Sequence, residues 1–554
     1  VVLRFIDFYY STQFMPFNLI FSVTAALAAV ALSWGLRTYL VKDSTLNISA
    51  RSQLFTLLGI LLLGVAARGL TLEFMGLIDP SESRYALVAA TMYQDNAWLV
   101  PYLPAGDGNI PFLSKPPLHY WLTAIAYSLF GIDEWTSRLP SFLALTAIII
   151  TIALTHARHQ RSRSTGLLAS LMLVTAPFPF FIFGGSTLDA TLTAAVSCAL
   201  LIFKHAVLHY NSPFRPWYFA LFWVFAAAGF LIKGPIALVL IGGPIAAIWV
   251  FLRFPRLCSK KELFFGIAIL IGATLPYFIA LELATPGGLR YMFVNENIQR
   301  FLSSDYGDKF GDGHKRAYGS IWWMYAATTL PWVLLLLPSS IRSTLLSDIK
   351  RFWPVTNKAG SRLPELHDPE GSHWVLFLFV WSFLPAVFFT FARQVLPPYI
   401  LPAIPGFFLL LASLITAPDT APCRWTSWRL IGTTGLLFTI LVTAIQLIGG
   451  SYLSYSKSSE KILRQIATQE PAALTNLGVY ETENLSPFWL ATTGTSEIPA
   501  PLTPHYATNE DVRQHKYINL LVREPKSGVL SVVTESRYIK VLSLGRWSWY
   551  QHQL

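Results

Sequence analysis

Long apolar runs govern what this chain can fold into. They recur at about 17–36, 54–75, 139–155, 165–183, 188–204, 217–232, 236–252, 264–283, 319–338, 373–391, 396–417 and 430–449. Each approaches the length an α-helix needs to cross roughly 30 Å of hydrocarbon. Lipid offers backbone N–H and C=O groups no partner, so such segments must be helical. Only 13% of the residues are charged, against about 25% in soluble domains, so most of the chain belongs in a bilayer. The 17–36 run has only Arg4 as a basic residue ahead of it and no clear small-residue cleavage site behind it, and reads as a span rather than a secretion signal. The shorter stretch 116–131, rich in Pro and aromatics, reads as a helix lying along the membrane surface.

Basic residues set the orientation. Arg37, Lys42 and Arg51 fill one loop; Arg158, Arg161 and Arg163 another; Lys204 and Arg215 flank a third. Arg253, Arg256, Lys260 and Lys261 follow, then Arg342, Lys350, Arg351, Lys358 and Arg362, then Arg424 and Arg429. These loops alternate, as cytoplasmic loops should. The net charge of +11 is therefore topology and not a nucleic-acid surface. Loops 76–138 and 284–318, the turn before Asp189, and residues 450–554 fall on the outer side. The chain divides into an N-terminal extra span and cytoplasmic loop (1–53), a transmembrane domain (54–449) and a soluble periplasmic domain (450–554). The tail holds ten Lys/Arg and nine Asp/Glu. Strands are expected at Tyr517–Val522, Leu530–Val533 and Tyr538–Leu544, and a helix from Ile462–Ala467, giving a small α/β domain. The three cysteines show no metal or redox spacing and read as free thiols.

Charged side chains at a membrane face need partners or water. The first outer loop carries Asp79, Glu82, Arg84 and Tyr85, with Arg68 and Glu73 just before, read as an interfacial pair or as snorkelling chains. Lys115 and His119 follow, then Asp189 at the head of a span, then Glu296, Asn297 and Arg300, and finally Arg393, Gln394 and Tyr399. Lys and Arg beside Tyr hydroxyls make a phosphate site. An adjacent acid can act as general base. Several carboxylates leave room for a divalent metal, but no ligand spacing asks for one, and no cofactor is required. The charges sit at one face, and there is no internal repeat. Both observations weigh against a lipid-linked sugar flippase or transporter, which would carry charge at the midplane.

Seven short patterns occur in order on the same expected side. They are Glu82-x-Arg84-Tyr85-Ala86, Lys115-Pro116-Pro117-Leu118-x-Tyr120-Trp121, Glu134-Trp135-x-x-Arg138-Leu139-Pro140-Ser141, Leu188-Asp189, Lys233-Gly234-Pro235, Gln299-Arg300-Phe301 and Pro398-Tyr399-Ile400-Leu401-Pro402. Over about residues 54–420 the chain resembles the bacterial protein-mannosyltransferase superfamily, and most closely its aminoarabinose (lipid A) transferase family, glycosyltransferase family 83. The resemblance implies an α-helical polytopic membrane protein with the GT-C fold, of about 11–13 transmembrane helices. It implies an inverting transfer of sugar from undecaprenyl phosphate to lipid A, another envelope glycan or a protein, on the periplasmic side of a bacterial inner membrane. Lys115, Arg84, Tyr85 and Tyr399 would then hold the donor phosphate. Glu82, Asp189 or Asp79 would be the catalytic acid or base. Arg300, Glu296, Asn297 and Arg393 would face the acceptor. Substituting Lys115 or Glu82 should abolish transfer without loss of expression. Ser81, Ser114, Asn297 and Val395 depart from the family pattern and bear on substrate identity more than on fold.

Overall fold

The computed structural model describes residues 48–552, apart from 74–75, 79, 106–107, 157–159, 252–256, 303–315, 353–371, 418–426, 458, 481–484, 494–501, 524–530 and 545–546. In order, the membrane part runs α1 (Ile48–Leu70), α2 (Ser81–Gln94), hairpin strands β1 (Tyr102–Ala105) and β2 (Gly108–Pro111), α3 (Leu118–Phe130), α4 (Glu134–Thr155), α5 (Gln160–Thr175) and α6 (Pro177–Ile182). It continues with α7 (Leu188–Leu208), α8 (Arg215–Lys233), α9 (Pro235–Phe251), α10 (Lys260–Ala284), a π-helix (Arg290–Gln299), α11 (Ser320–Thr328), α12 (Ser339–Phe352), α13 (Ser372–Phe389), a 3-10 turn (Pro397–Ala403), α14 (Ile404–Ile415) and α15 (Trp428–Lys457).

Among the described residues, six helical segments are long and apolar enough to cross a membrane: α4, α7, α8, α10, Pro397–Ile415 and the first two-thirds of α15. Three shorter apolar helices lie at Phe55–Leu70, Pro235–Val250 and Trp374–Phe389. The span expected at 17–36 lies outside the described residues. The run at 319–338 is not one helix: α11 stops at Thr328, and Trp332–Leu336 is a 3-10 turn. Pro331 lacks the N–H that would continue the α-ladder, which accounts for the break. Pro177 likewise separates α5 from α6 inside the 165–183 run. The starts of α4 and α10 are written locally. Asp133 and Thr136 form a reciprocal capping box at one, Ser259 and Glu262 at the other.

α7 is the most enclosed of the six, packing against α4, α8 and the 3-10 turn. That arrangement brings the head of α7, the end of α8 and Tyr399 to one side of the bundle. Arg68 is not an interfacial side chain. It is 1% exposed, donates to Thr71 Oγ1 at 2.6 Å and Gln446 Oε1 at 2.9 Å, and lies 5.2 Å from the Phe180 ring centroid. Burial without water demands such partners.

The C-terminal domain is a five-stranded sheet, in the order Pro504–Ala507 (β4), Leu477–Tyr480 (β3), Asn519–Arg523 (β5), Trp547–His552 (β7), Tyr538–Leu544 (β6). β3 runs parallel to β4 and β5, and β7 antiparallel to β5 and β6. Helix Glu460–Gln469 (α16) covers one face, and α15 extends to Lys457, beyond the expected boundary at 449. The strand expected at Leu530–Val533 is instead a short helix, Ser531–Glu535. Val533 is fully buried with Val512 and Tyr538 there, so packing overrides the β-preference of two adjacent valines.

Helix Ser486–Thr493 (α17) packs this domain onto α2. Trp489 donates its indole N–H to Glu134 Oε1 at 3.1 Å, and its ring lies 6.3 Å from that of Tyr127. Trp489→Ala is expected to cost about 3–5 kcal/mol and to make the chain between α15 and β3 markedly faster to cleave in limited proteolysis. An unchanged cleavage rate would show that this contact does not hold the domain in place.

Candidate functional site

α8 ends on Lys233 because Gly234 takes a positive φ of 72° and Pro235 restarts the chain as α9. A left-handed residue here suits glycine, which pays no Cβ penalty. Lys233 thereby reaches the head of the neighbouring helix α7. Its Nζ donates to Asp189 Oδ1, in the first turn of α7, at 2.5 Å and lies 4.5 Å from the Tyr399 ring centroid. Tyr399 comes from the proline-rich 3-10 turn. Lys115 precedes Pro116 and Pro117, which lead into α3. Its Nζ donates to Ser114 O and to Glu296 Oε2, both at 2.8 Å.

Glu296 lies in the π-helix, a winding frequently found at functional sites. It is 5% exposed. Arg300 Nη1 donates to its Oε2 at 3.1 Å, and the Tyr291 hydroxyl donates to its Oε1 at 3.3 Å. Burial alone would raise its pKa; Lys115 and then Arg300 more than offset that and hold it below the ordinary carboxylate range. Asn297 Nδ2 donates to Met292 O at 2.7 Å.

Lys115, Lys233, Glu296, Asn297, Arg300, Gln394 and Tyr399 form the polar wall of one cavity of about 370 Å³. Ile236, Val239, Phe301, Phe388 and Phe389 form its apolar wall. Val239, Ile298 and Leu302, also in the lining, are 40%, 54% and 70% exposed, so the trough opens along an apolar flank. Tyr85 stands beside it. Its hydroxyl is held above the ordinary range first by burial, then by the Asp189 carboxylate, while Arg84 and Arg300 pull the other way. Asp189, Arg84, Tyr399 and Arg300 are thus all within electrostatic reach of one phenol. Its ring also meets those of His119 and Tyr120 at 6.1 Å.

Glu82 lies elsewhere in the wiring. It is 6% exposed and sits in the first turn of α2. Arg138 Nη2 donates to its Oε2 at 3.1 Å and Nε to its Oε1 at 3.3 Å. The Ile78 N–H reaches Oε2 at 2.9 Å, and the Ser186 N–H reaches Oε1 at 2.8 Å. Arg138 also donates to Leu72 O at 2.6 Å and Gly76 O at 3.1 Å. Both carboxylate oxygens are therefore engaged. A Cβ at residue 185 would come within 2.9 Å of Glu82 Oε1, so Gly185 permits this close approach. Through Ser186 the pair fixes the turn three residues before Asp189.

Of the residues singled out in the sequence, Lys115, Tyr399, Arg300, Glu296 and Asn297 line the cavity, and Asp189 is tied to it by Lys233. Arg300, Glu296 and Asn297 thus share a wall with Lys115. Arg393 does not line the cavity: its guanidinium lies 4.0 Å from the Tyr318 ring centroid, and its buried neighbour Gln394 lines the wall. Asp79 lies outside the described residues. Lys233 and Arg138 stood inside quoted motifs without being chosen. A lysine in a three-residue turn between two spans, on the side expected to be outer, was the signal for the first. Among the described residues no three His, Cys, Asp or Glu side chains gather to hold a metal ion.

Residues 114–279 match the family model described as dolichyl-phosphate-mannose-protein mannosyltransferase. The undecaprenyl phosphate-alpha-4-amino-4-deoxy-L-arabinose arabinosyl transferase of Enterobacter sp. (strain 638) is 27% identical over 409 residues, 72% of this chain and 66% of that protein. The protein of the same name from Erwinia tasmaniensis is 28% identical over 62% of this chain and 56% of its own length. The matches therefore span under two thirds of those curated relatives. The crystal structure of ArnT from Cupriavidus metallidurans bound to undecaprenyl phosphate superposes with a TM-score of 0.67 at 17% identity, covering 89% of this chain and 97% of that one.

Proposed function

The chain is a multi-pass membrane protein with the GT-C fold, similar to the aminoarabinose transferases in sequence and to ArnT in architecture, and on that premise we propose that it is a polyprenyl-phosphate-dependent glycosyltransferase. The donor is an undecaprenyl-phosphate-linked sugar, and the acceptor is lipid A or another envelope glycan. The reaction takes place at the periplasmic face of a bacterial inner membrane. One observation carries this reading: three cations, Lys115, Lys233 and Arg300, share a cavity with an open apolar flank. Such a trough suits an amphiphile with an anionic head.

The donor phosphate lies between Lys115, Arg300 and Lys233, with Tyr399 at its edge and the isoprenoid along Ile236 and Val239. The acceptor oxygen attacks the anomeric carbon from the face opposite the phosphate, so the configuration inverts. The bond between that carbon and the phosphate oxygen breaks, and its electron pair stays on the phosphate. Preorganised cations stabilise the charge that develops there. The acceptor hydroxyl gives its proton to Asp189, the carboxylate beside the cavity, where Lys233 engages Oδ1, whereas both oxygens of Glu82 are taken by Arg138 and backbone N–H groups. An acceptor that is itself a phosphate needs no base.

Purified protein given a labelled polyprenyl-phosphate sugar and a lipid A acceptor should release polyprenyl phosphate. Movement of intact donor across a vesicle membrane without cleavage would instead make the protein a flippase and end the transferase reading. Asp189→Asn is expected to lower turnover onto a hydroxyl acceptor by about 10²–10⁴-fold, with expression unchanged. Undiminished turnover would remove Asp189 from the role of base.

A further inference from the structure

One acid in the cavity wall has no part in that transfer step. Among the described residues lining the cavity, Glu296 is the only carboxylate. Its side chain is closed to solvent, yet it holds two of the three cations that face the cavity, Lys115 at 2.8 Å and Arg300 at 3.1 Å. Tyr291 fixes its other oxygen. Holding an anion as tightly as the wall permits is poorly served by a fixed negative charge sharing the same two cations, since like charges a few ångströms apart repel strongly inside a protein.

The two lipid phosphates of the proposed reaction differ in charge. The donor is a phosphodiester with one negative charge. When the anomeric carbon–oxygen bond breaks, the phosphate keeps the electron pair, the acceptor oxygen bonds to the sugar, and the acceptor proton leaves with the base. The released monoester then carries close to two negative charges above its second pKa of about 6. Resting on the transferase reading, we propose that Glu296 selects by charge. It neutralises part of the Lys115–Arg300 pair, so that the cavity prefers the singly charged diester donor and expels the doubly charged monoester product. Its role is that of a positioning and selecting residue, since it acts on the phosphate through the two cations it holds.

The test measures binding of farnesyl phosphate and of its methyl diester to the full-length protein in detergent at pH 8, for wild type and Glu296→Gln. Wild type should bind the diester more tightly than the monoester. Glu296→Gln should tighten monoester binding by about tenfold or more and change diester binding by less than about threefold. In turnover, Glu296→Gln should slow later turnovers more than the first, as product stays bound. A merely structural role would move both esters together. Tighter binding of the monoester by wild type overturns the proposal without any variant, and an unchanged ratio in Glu296→Gln overturns it too. If wild type binds neither ester, the lipid-phosphate reading itself fails. If it binds both without charge preference, only the selection by Glu296 fails.

Discussion

Lys115→Ala and Arg300→Ala are each expected to lower kcat/KM for a labelled polyprenyl-phosphate sugar by one to two orders of magnitude. A charge-assisted hydrogen bond contributes about 1.5–3 kcal/mol, and each 1.36 kcal/mol is tenfold in rate. The melting temperature should change little in either single variant, because Glu296 keeps the other cation. Removing both at once strands a buried carboxylate, so the double variant should lose stability as well as activity. The measurement is initial rate against donor concentration, paired with a thermal melt. Wild-type rates in both single variants would mean that the phosphate binds elsewhere.

Glu82→Ala should behave in the opposite way, as a folding defect. Removing one partner of a buried ion pair leaves the other charge uncompensated and costs about 3–5 kcal/mol. The stranded group is Arg138, 1% exposed and tied to the backbone at Leu72 and Gly76. Glu82→Ala should therefore express poorly or melt early. Glu82→Leu combined with Arg138→Met should recover part of that loss, since replacing a whole buried pair by apolar groups is often neutral. A Glu82→Ala protein that melts like wild type yet fails in transfer would return Glu82 to the chemistry and displace the ion-pair role.

The cavity and the Glu82–Arg138 pair show where a sequence is readable and where it stops. Lys115, Asp189, Arg300 and Tyr399 were recoverable because polar side chains at a membrane face need a reason to be there. Which charge meets which was not recoverable. Glu82 stands two residues from Arg84, but helical winding puts residues two apart on different faces, and its partner is Arg138, in another helix. Pairing across such separations is set by the packing of α2, α4 and the turn before α7, and no local pattern encodes it. Lys233 was hidden for a related reason: a basic residue at a helix end passes for an ordinary end charge until α7 brings Asp189 to it. Hydropathy marked the six long apolar helices of the described residues but could not say that 319–338 is broken in its middle, because a proline that ends one helix can merely kink another.

The seating of Trp489 against Tyr127 and Glu134 has a bearing on how the polypeptide tolerates shortening. The last strands are not an appendage that can be trimmed away. A chain ending at the close of α15 would bare the apolar patch on α2 and α3 that Phe488 and Trp489 cover, and leave Glu134 without its indole donor. Such a patch invites self-association, so a shortened protein should clump in detergent even with its bilayer helices whole.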